Sequence, residues 1–178
     1  MKENSKQKFG YGCVGYIRNE AVKFAKGEYI AFCDDDDIWF PNKLELQINA
    51  LEKNNCKMCC TDGLIGNGMY DKNNNYKKYN AEFYYETLQD IYKRNNSTLI
   101  KNGFPDIWNL ELIQIHNCII TSSVMIEKNL YDKIGGMPFK RRGQDYECWL
   151  KALQHTDCLY LKNICFYYDL GHADGQNH

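Results

Sequence analysis

The sequence lacks a large excess of charge of either sign, and it lacks any long apolar run. Its 22 basic and 23 acidic residues leave a formal net charge of −1 at pH 7, which excludes the strongly basic surface typical of nucleic-acid-binding domains. No stretch approaches the roughly 18 consecutive apolar residues of a membrane-spanning helix. Residues 1–8 also lack the apolar core of a secretory signal peptide. We therefore expect a soluble, cytoplasmic protein that has no nucleic-acid partner.

The nine cysteines lack the arrangement of a disulfide framework or of a zinc site. Their number is odd, and several lie in apolar runs, which is typical of buried thiols in a reducing compartment. Cys56 and Cys59 form one CxxC pair, but no second CxxC and no HxxxH follows at the spacing of a structural zinc site. We expect free thiols and keep a zinc site as the minor alternative.

The length of 178 residues fits one domain, and we treat residues 1–178 as a single unit. A chain of this size buries roughly 70% of its unfolded surface, which is enough for a well-packed core. Residues 1–9 are mostly polar, and we expect them to be loosely ordered.

A GxGxxG match at Gly10, Gly12 and Gly15 offers a dinucleotide-binding alternative. Such a site needs the motif directly after an apolar strand, and residues 1–8 are too polar to form one. The plainer interpretation is a glycine-rich lead into a helix. An NAD-dependent enzyme stays as a minor hypothesis, which a lack of NAD binding would remove.

The most informative stretch is residues 29–39, where five mostly apolar residues end in four consecutive aspartates. The apolar run predicts a buried strand of the kind found in parallel sheets, and ligands of open α/β sheets gather at the carboxyl ends of such strands. Neighbouring carboxylates repel each other by roughly 3 kcal/mol per pair, so a bound dication would stabilise the cluster. An EF-hand loop is excluded, because Trp39 occupies the position that requires glycine. A solvated acidic turn without a ligand is the alternative.

Helical and strand patterns alternate along the chain, which is the order of a doubly wound α/β sheet. The helices are predicted at residues 19–26, 41–53, 86–94, 130–134 and 143–153. The strands are predicted at residues 29–33, 58–61, 118–126 and 158–168, with a turn at Asp62-Gly63 and a loop over 66–80.

Three segments, in this order, resemble nucleotide-sugar-dependent glycosyltransferases of family 2. The first runs from Arg18 to Phe32 and is similar to the lead into the metal motif of that family. The second, residues 33–45, resembles the family's DxD segment nearly letter for letter. The third runs from Thr121 to Leu150 and resembles the acceptor-side block that carries the general base. Together the three segments cover most of the chain.

The resemblance implies a GT-A fold, an α/β architecture in which helices flank a Rossmann-like mixed sheet. The family begins with a strand-helix-strand unit, and only residues 1–9 precede the matched region here, so we expect a truncated GT-A domain. A fragment of a longer protein, a reduced protein that uses a partner, and an inactive descendant are the three open explanations. Missing strands expose a sheet edge, from which we expect a homo-oligomer.

The resemblance also implies roles for individual residues. Asp145 would be the catalytic base, and Asp36 would bind Mn²⁺ or Mg²⁺. His172 resembles a histidine that follows the last strand in many members and approaches the metal or the phosphates; a histidine of the polar tail without such a role is the alternative. Asp34 and Asp36 would form the DxD pair. The expected donor-binding residues are Arg18, Asp34, Asp35 and Trp39.

These roles imply a metal-dependent, inverting glycosyltransferase. It would move a sugar from a nucleotide-diphosphate sugar, most simply a UDP-sugar, to a hydroxyl group of a glycan, lipid or protein. The alternative is a catalytically inactive or partner-dependent module that binds sugar nucleotides or glycans, because much of the pocket for the donor base is missing.

Overall fold

The computed structural model describes residues 4–171. The helices are α1 (Ser5–Phe9), α2 (Val14–Val22), α3 (Lys43–Lys53), α4 (Tyr85–Arg94), α5 (Leu110–Ile113), α6 (Lys128–Lys133) and α7 (Gln144–Ala152). The strands are β1 (Tyr29–Ala31), β2 (Ile38–Trp39), β3 (Met58–Gly66), β4 (Lys77–Lys78), β5 (Ile107–Trp108), β6 (Met125–Glu127) and β7 (Cys158–Asp169). A π-helical turn (Tyr79–Phe83) and a 3-10 turn (Thr121–Ser123) complete the order. No helix within residues 4–171 has the length and apolar character needed to cross a membrane.

The seven strands form one mixed sheet. Its main order is β1-β6-β3-β7-β2, with β4 paired to β3 and β5 paired to β7. β3 and β7 run parallel, whereas the other pairs are antiparallel. The expected α/β class, with a mixed sheet flanked by helices, is therefore confirmed.

Two apolar cores cover the two faces of the sheet. Met58 and Ile126 belong to the larger core, which α2, α4, α5, α6 and α7 complete. Their chain neighbours Cys59 and Met125 belong to the smaller core, which Leu51 of α3 covers. Successive side chains of a strand point to opposite faces, so the central strands are buried on both sides.

β1 does not have the place that the sequence predicts. It contains three residues, pairs antiparallel with β6, and has no strand on its other side among residues 4–171. The prediction of a longer strand in a parallel, doubly wound sheet is therefore wrong. Ile30 faces the larger core and Ala31 the smaller one. An apolar run indicates that both faces of a strand are covered, but it does not determine the direction of the neighbouring strand.

β3 continues through Asp62 and Gly63, so the predicted turn is also wrong. Register shifts at Asp62 mark a bulge against β7. The buried Asp62 carboxylate accepts hydrogen bonds from the Tyr160 hydroxyl (2.9 Å) and from two backbone N–H groups of the π-helical turn (3.0 and 3.2 Å). A Cβ atom on Gly63 would lie 2.5 Å from the Phe166 ring. This Asp-Gly pair thus permits close packing inside a strand.

The strand predicted over residues 118–126 is mostly absent from the described structure. Residues 121–123 form the 3-10 turn, and β6 begins only at Met125. Ser122 and Ser123 are buried, and their oxygens accept hydrogen bonds from distant parts of the chain. These tertiary hydrogen bonds outweigh the local β-propensity.

The helix predictions agree better with the structure. α3, α4, α6 and α7 lie within a few residues of the predicted bounds, and residues 158–168 form the continuous strand β7. The helix expected over 19–26 is displaced to α2. Residues 5–9, expected to be loosely ordered, form α1, because Asn4 and Gln7 make a capping box and Gly10 (φ 77°) ends the helix.

Candidate functional site

The acid turn, residues 34–37, connects β1 to β2. The backbone N–H of Asp37 donates a hydrogen bond to the carbonyl of Asp34 (3.2 Å), so the chain reverses here instead of continuing as a strand. Three carboxylates of the turn line an open cavity of about 400 Å³, together with Asp169 at the end of β7. These three are Asp35, Asp36 and Asp37. The turn therefore collects carboxylates that an extended chain would point to opposite sides.

One carboxyl group of the acid turn is buried and only half satisfied. Asp37 is 8% exposed, and its Oδ1 accepts a hydrogen bond from the backbone N–H of Asp169 (3.2 Å). Its Oδ2 makes no hydrogen bond of regular geometry within residues 4–171, although the nearby Ser122 hydroxyl lowers the pKa of this carboxyl group and partly offsets the effect of burial. Burial raises the pKa of Asp37 to about 7 and also raises the pKa of Asp36. A cation in the cavity would stabilise the charged form of both groups.

Asp34 has a different environment from the other three aspartates. Its carboxylate forms an ion pair with Arg18, which reaches it from α2. Its backbone N–H donates a hydrogen bond to the Ser122 hydroxyl (3.0 Å). Of the two aspartates expected to form the DxD pair, Asp34 thus binds the Arg18 side chain, whereas Asp36 lines the cavity.

Trp39 lies beside the acid turn and is anchored on the same 3-10 turn. Its indole N–H donates a hydrogen bond to the Ser122 carbonyl (2.9 Å), and the Lys43 Nζ lies 4.3 Å from its ring centroid. Ile38 lines the cavity beside the acid turn, whereas its neighbour Trp39 does not. The expected donor contact of Trp39 therefore stays a prediction.

Asp145 lies in the first turn of α7, where the helix dipole favours a carboxylate. Gly143 precedes the helix with φ 66°, a left-handed conformation that glycine adopts without strain. The Asn117 amide donates a hydrogen bond of 3.5 Å to the Asp145 Oδ2. This arrangement leaves a carboxylate at the start of a well-packed helix, held from one side by an amide.

Tyr168 of β7 lies near enough to both the acid turn and Asp145 to be affected by their charges. Burial raises the pKa of its phenol to about 12, and nearby carboxylates contribute to this increase. These carboxylates are Asp37, Asp36, Asp34 and Asp145. The phenol is therefore within electrostatic reach of both groups, which places the expected donor side and the expected base in one region.

The structure brings most of the expected site residues together. Arg18 pairs with Asp34 of the acid turn, and Asp145 acts electrostatically on the same Tyr168 phenol as the turn does, whereas His172 lies outside the described residues. Ser122, Tyr168 and Asp169 are near these residues and were not predicted as site residues from the sequence. Asp169 could have been predicted as a site residue, because it is an acid at the end of a long apolar strand. The acid turn also follows an apolar strand, and this position led to its prediction. The role of Ser122 depends on contacts between distant residues, for which the local sequence carries no signal.

The model of the family described as glycosyl transferase family 2 matches residues 14–132. An uncharacterized glycosyltransferase of Rickettsia felis is 30% identical over 177 residues, which cover 94% of this chain and 25% of that protein. An Escherichia coli protein, the UDP-Glc:alpha-D-GlcNAc-diphosphoundecaprenol beta-1,3-glucosyltransferase WfgD, is 53% identical over 47 residues, or 26% of this chain and 18% of that protein. The chain thus spans a quarter or less of these two relatives.

Solved structures show the same fold. Residues 1–349 of S. aureus TarS superpose with a TM-score of 0.60 at 16% identity, covering 89% of this chain and 40% of that one. The same TarS region in complex with UDP-GlcNAc has a TM-score of 0.56. The expected GT-A architecture is therefore confirmed, and the match over residues 14–132 shows that the chain belongs to glycosyl transferase family 2.

Proposed function

We propose that this chain carries the reaction centre of an inverting glycosyltransferase that uses a nucleotide-diphosphate sugar. The observation that carries the proposal is the common region of the acid turn and Asp145 around the Tyr168 phenol. Sugar transfer needs one group of residues for the donor diphosphate and a separate base for the acceptor hydroxyl. In this proposal the acid turn serves the donor diphosphate, and Asp145 serves as the base for the acceptor hydroxyl.

The donor we propose is a UDP-sugar. Supporting this choice, the WfgD relative is named for UDP-Glc, and TarS has been solved with UDP-GlcNAc. On the chain itself, we assign Arg18 to the phosphate oxygens of the donor, and Asp34 and Asp35 to its hydroxyl groups; Arg18 forms an ion pair with Asp34, and Asp35 lines the cavity. The acceptor is a hydroxyl group of a glycan, lipid or protein.

A divalent cation, Mn²⁺ or Mg²⁺, fits the chemistry of the acid turn. The Asp37 Oδ2 is buried without a hydrogen bond among residues 4–171, and three further carboxylates, those of Asp35, Asp36 and Asp169, line the same cavity. No group of three or more His, Cys, Asp or Glu side chains within residues 4–171 is arranged to hold a metal alone. If a cation binds here, one or two carboxylates, Asp36 above all, would hold it and substrate phosphates would supply its other oxygen ligands, as is usual for Mg²⁺. When bound, such an ion would offset the charge that develops on the departing diphosphate.

Asp145 acts as the general base in this proposal. Its carboxylate accepts the proton of the acceptor hydroxyl while that oxygen forms a bond to the anomeric carbon. The bond from this carbon to the diphosphate oxygen breaks on the opposite face, so the configuration inverts and the nucleotide diphosphate leaves. Asn117 holds the Asp145 carboxylate from one side, which restricts its orientation.

The Asp145→Asn variant tests the proposal. Its transfer or hydrolysis of UDP-glucose and UDP-GlcNAc, measured with Mn²⁺, should fall about 10²–10⁴-fold, because the amide cannot take a proton. UDP binding measured by calorimetry should stay unchanged. Glu147→Gln is the matched control, since this carboxylate lies on the same helix and pairs with Lys140 and Lys151 at the surface. Equal activity in Asp145→Asn would refute the base assignment.

The same measurements separate catalysis from binding alone. UDP binding that depends on Mn²⁺, without turnover in the wild-type chain, would support a module that binds sugar nucleotides. Failure of both binding and turnover would refute the proposed donor.

We also propose that the chain self-associates through the free edge of β1. The support for this is that β1 pairs only with β6 among the described residues, and an unpaired edge offers hydrogen-bonding groups to another strand.

A further inference from the structure

Lys43, the first residue of α3, is a buried cation that the proposed reaction does not use. Its side chain is 0% exposed, and within residues 4–171 it forms no ion pair. The Nζ donates a hydrogen bond to the Gln47 Oε1 (2.5 Å) and lies over the Trp39 ring at 4.3 Å from its centroid. Burial of an ammonium group without an anionic partner is unfavourable, so ordinary packing does not account for this residue.

Both contacts of Lys43 lead to the 3-10 turn at residues 121–123. The Gln47 Nε2 donates a hydrogen bond to the Ser123 carbonyl (2.9 Å), and the Trp39 indole N–H donates to the Ser122 carbonyl (2.9 Å). The charge of Lys43 orients the Gln47 amide. The amide oxygen of Gln47 accepts a hydrogen bond from the ammonium group, and the amide nitrogen is then directed towards the Ser123 carbonyl. The same charge attracts the face of the indole ring.

The 3-10 turn in its turn contacts the acid turn. The Ser122 hydroxyl accepts a hydrogen bond from the backbone N–H of Asp34 (3.0 Å). Trp39 also follows the acid turn directly in the chain. The acid turn is therefore attached to the 3-10 turn at Asp34 and again just after its end, at Trp39. Lys43 contacts Trp39 of the second attachment, and it orients Gln47, which binds Ser123, the chain neighbour of the serine in the first.

We propose that Lys43 is a positioning residue, whose ammonium group fixes Trp39 and Gln47 on the 3-10 turn and thereby holds the acid turn in the shape that binds the donor. This inference deepens the proposed function and rests on it for the identity of the ligand. The arrangement itself is independent of that function, and it predicts that loss of the charge on Lys43 loosens Trp39.

Deprotonation of Lys43 is one way to remove this charge. Burial lowers the pKa of Lys43 from 10.5 to about 8, within an accessible range. The titratable groups that face it are thiols from the end of β1, from β3 and from β7. They are Cys33, Cys59, Cys60 and Cys165. Burial raises the pKa of each thiol above its usual value, so these groups stay neutral while Lys43 titrates.

Intrinsic fluorescence of the described chain reports on Trp39. Trp108 and Trp149 are fully buried, so acrylamide quenches mainly the half-exposed Trp39. Quenching should be greater in Lys43→Met, which keeps the length of the side chain without its charge. In the wild type, the emission should change with a midpoint near pH 8, and this transition should be absent from the variant. The exposed Lys53→Met, on the same helix, is the matched control and should behave as the wild type.

Ligand binding tests the consequence for the acid turn. Calorimetry with UDP and Mn²⁺ should give about tenfold weaker binding for Lys43→Met than for the wild type or Lys53→Met. The affinity of the wild type should also fall between pH 7 and pH 9. Wild-type quenching and wild-type affinity in Lys43→Met would overturn the proposal.

The outcomes also separate this inference from the proposed function. No UDP binding by the wild type would refute the proposed donor, while the fluorescence transition near pH 8 would still decide the arrangement around Lys43. If Lys43→Met does not fold, the pH dependence of the wild type decides the matter. A flat emission profile between pH 7 and pH 9 would refute the positioning role.

Discussion

At the scale of single residues, the charge of Lys43 affects stability as well as the site. The pKa of Lys43 is about 8 in the folded chain and 10.5 ordinarily, which corresponds to about 3 kcal/mol at ~1.4 kcal/mol per pKa unit. Below pH 8, Lys43 is protonated in both states, and the folded state carries the full penalty of the buried charge. Between about pH 8 and 10.5 the unfolded chain binds more protons, so the contribution of Lys43 to stability rises with pH.

This pH dependence is measurable as a difference between two proteins. The free energy of unfolding of the wild type minus that of Lys43→Met should increase from pH 7.5 to pH 10 by up to about 3 kcal/mol. The comparison with the variant is needed because burial also raises the pKa of several cysteines and tyrosines. The contribution of these groups to the free energy of unfolding falls as the pH rises through the same range, and it is common to both proteins. A constant difference in urea denaturation at the two pH values would contradict the prediction.

Candidate site residues are easiest to predict where one residue type carries the chemistry. The aspartates of the acid turn stand out as four consecutive carboxylates, whereas the role proposed for Asp145 comes from the family resemblance of its segment. Ser122 and Gln47 do not stand out, since their roles are hydrogen bonds to backbone groups far away in the chain. A serine or glutamine in such a position has the same local sequence signal as one on the surface.

At the scale of secondary structure elements, the bulge in β3 makes the clearest prediction. A Cβ atom on Gly63 would lie 2.5 Å from the Phe166 ring, so Gly63→Ala should lower the free energy of unfolding by about 1–3 kcal/mol, as overpacking usually does. Urea denaturation measures this change.

A second substitution serves as its control. Phe166→Leu removes the ring that the new methyl group would meet, so the double variant should be more stable than the sum of the two single effects predicts. Additive effects would show that the contact with Phe166 is not the cause of the destabilisation.

The elements also show what the sequence determines. Helices with a regular apolar period, such as α3 and α7, were predicted within a few residues because their pattern depends on local spacing. The direction of β1, the continuation of β3 through Asp62 and the 3-10 turn depend on contacts with distant strands. Local patterns cannot determine these features, and all three predictions there were wrong.

At the scale of the whole molecule, the free edge of β1 leads us to predict self-association. The N–H of Lys128 donates a hydrogen bond to the carbonyl of Glu28 (2.8 Å), and alternation along an antiparallel pair then directs the N–H of Ala31 away from β6. Light scattering at high concentration should therefore detect self-association of the wild type.

Ala31→Pro removes this outward N–H group and leaves the hydrogen bonds between β1 and β6 intact. The variant should be monomeric at the same concentration, because proline is tolerated on edge strands and cannot donate. Its thermal midpoint checks that it folds. A monomeric wild type, or an unchanged oligomer in a folded variant, would contradict pairing through β1.

The attachment of the acid turn to the 3-10 turn has a consequence for how the molecule folds. Asp34 and Ser122 are separated by 88 positions in the chain, and Gln47 and Ser123 by 76. Closing loops of this length carries an entropic penalty and slows the formation of such contacts. Until the 3-10 turn docks, the aspartates of the turn remain solvated and apart. We therefore expect α3 to form early. Among the described residues β1 pairs only with the distant β6, so this strand and the capacity to bind a nucleotide should appear with the last long-range contacts, and ligand binding then reports complete folding of the chain.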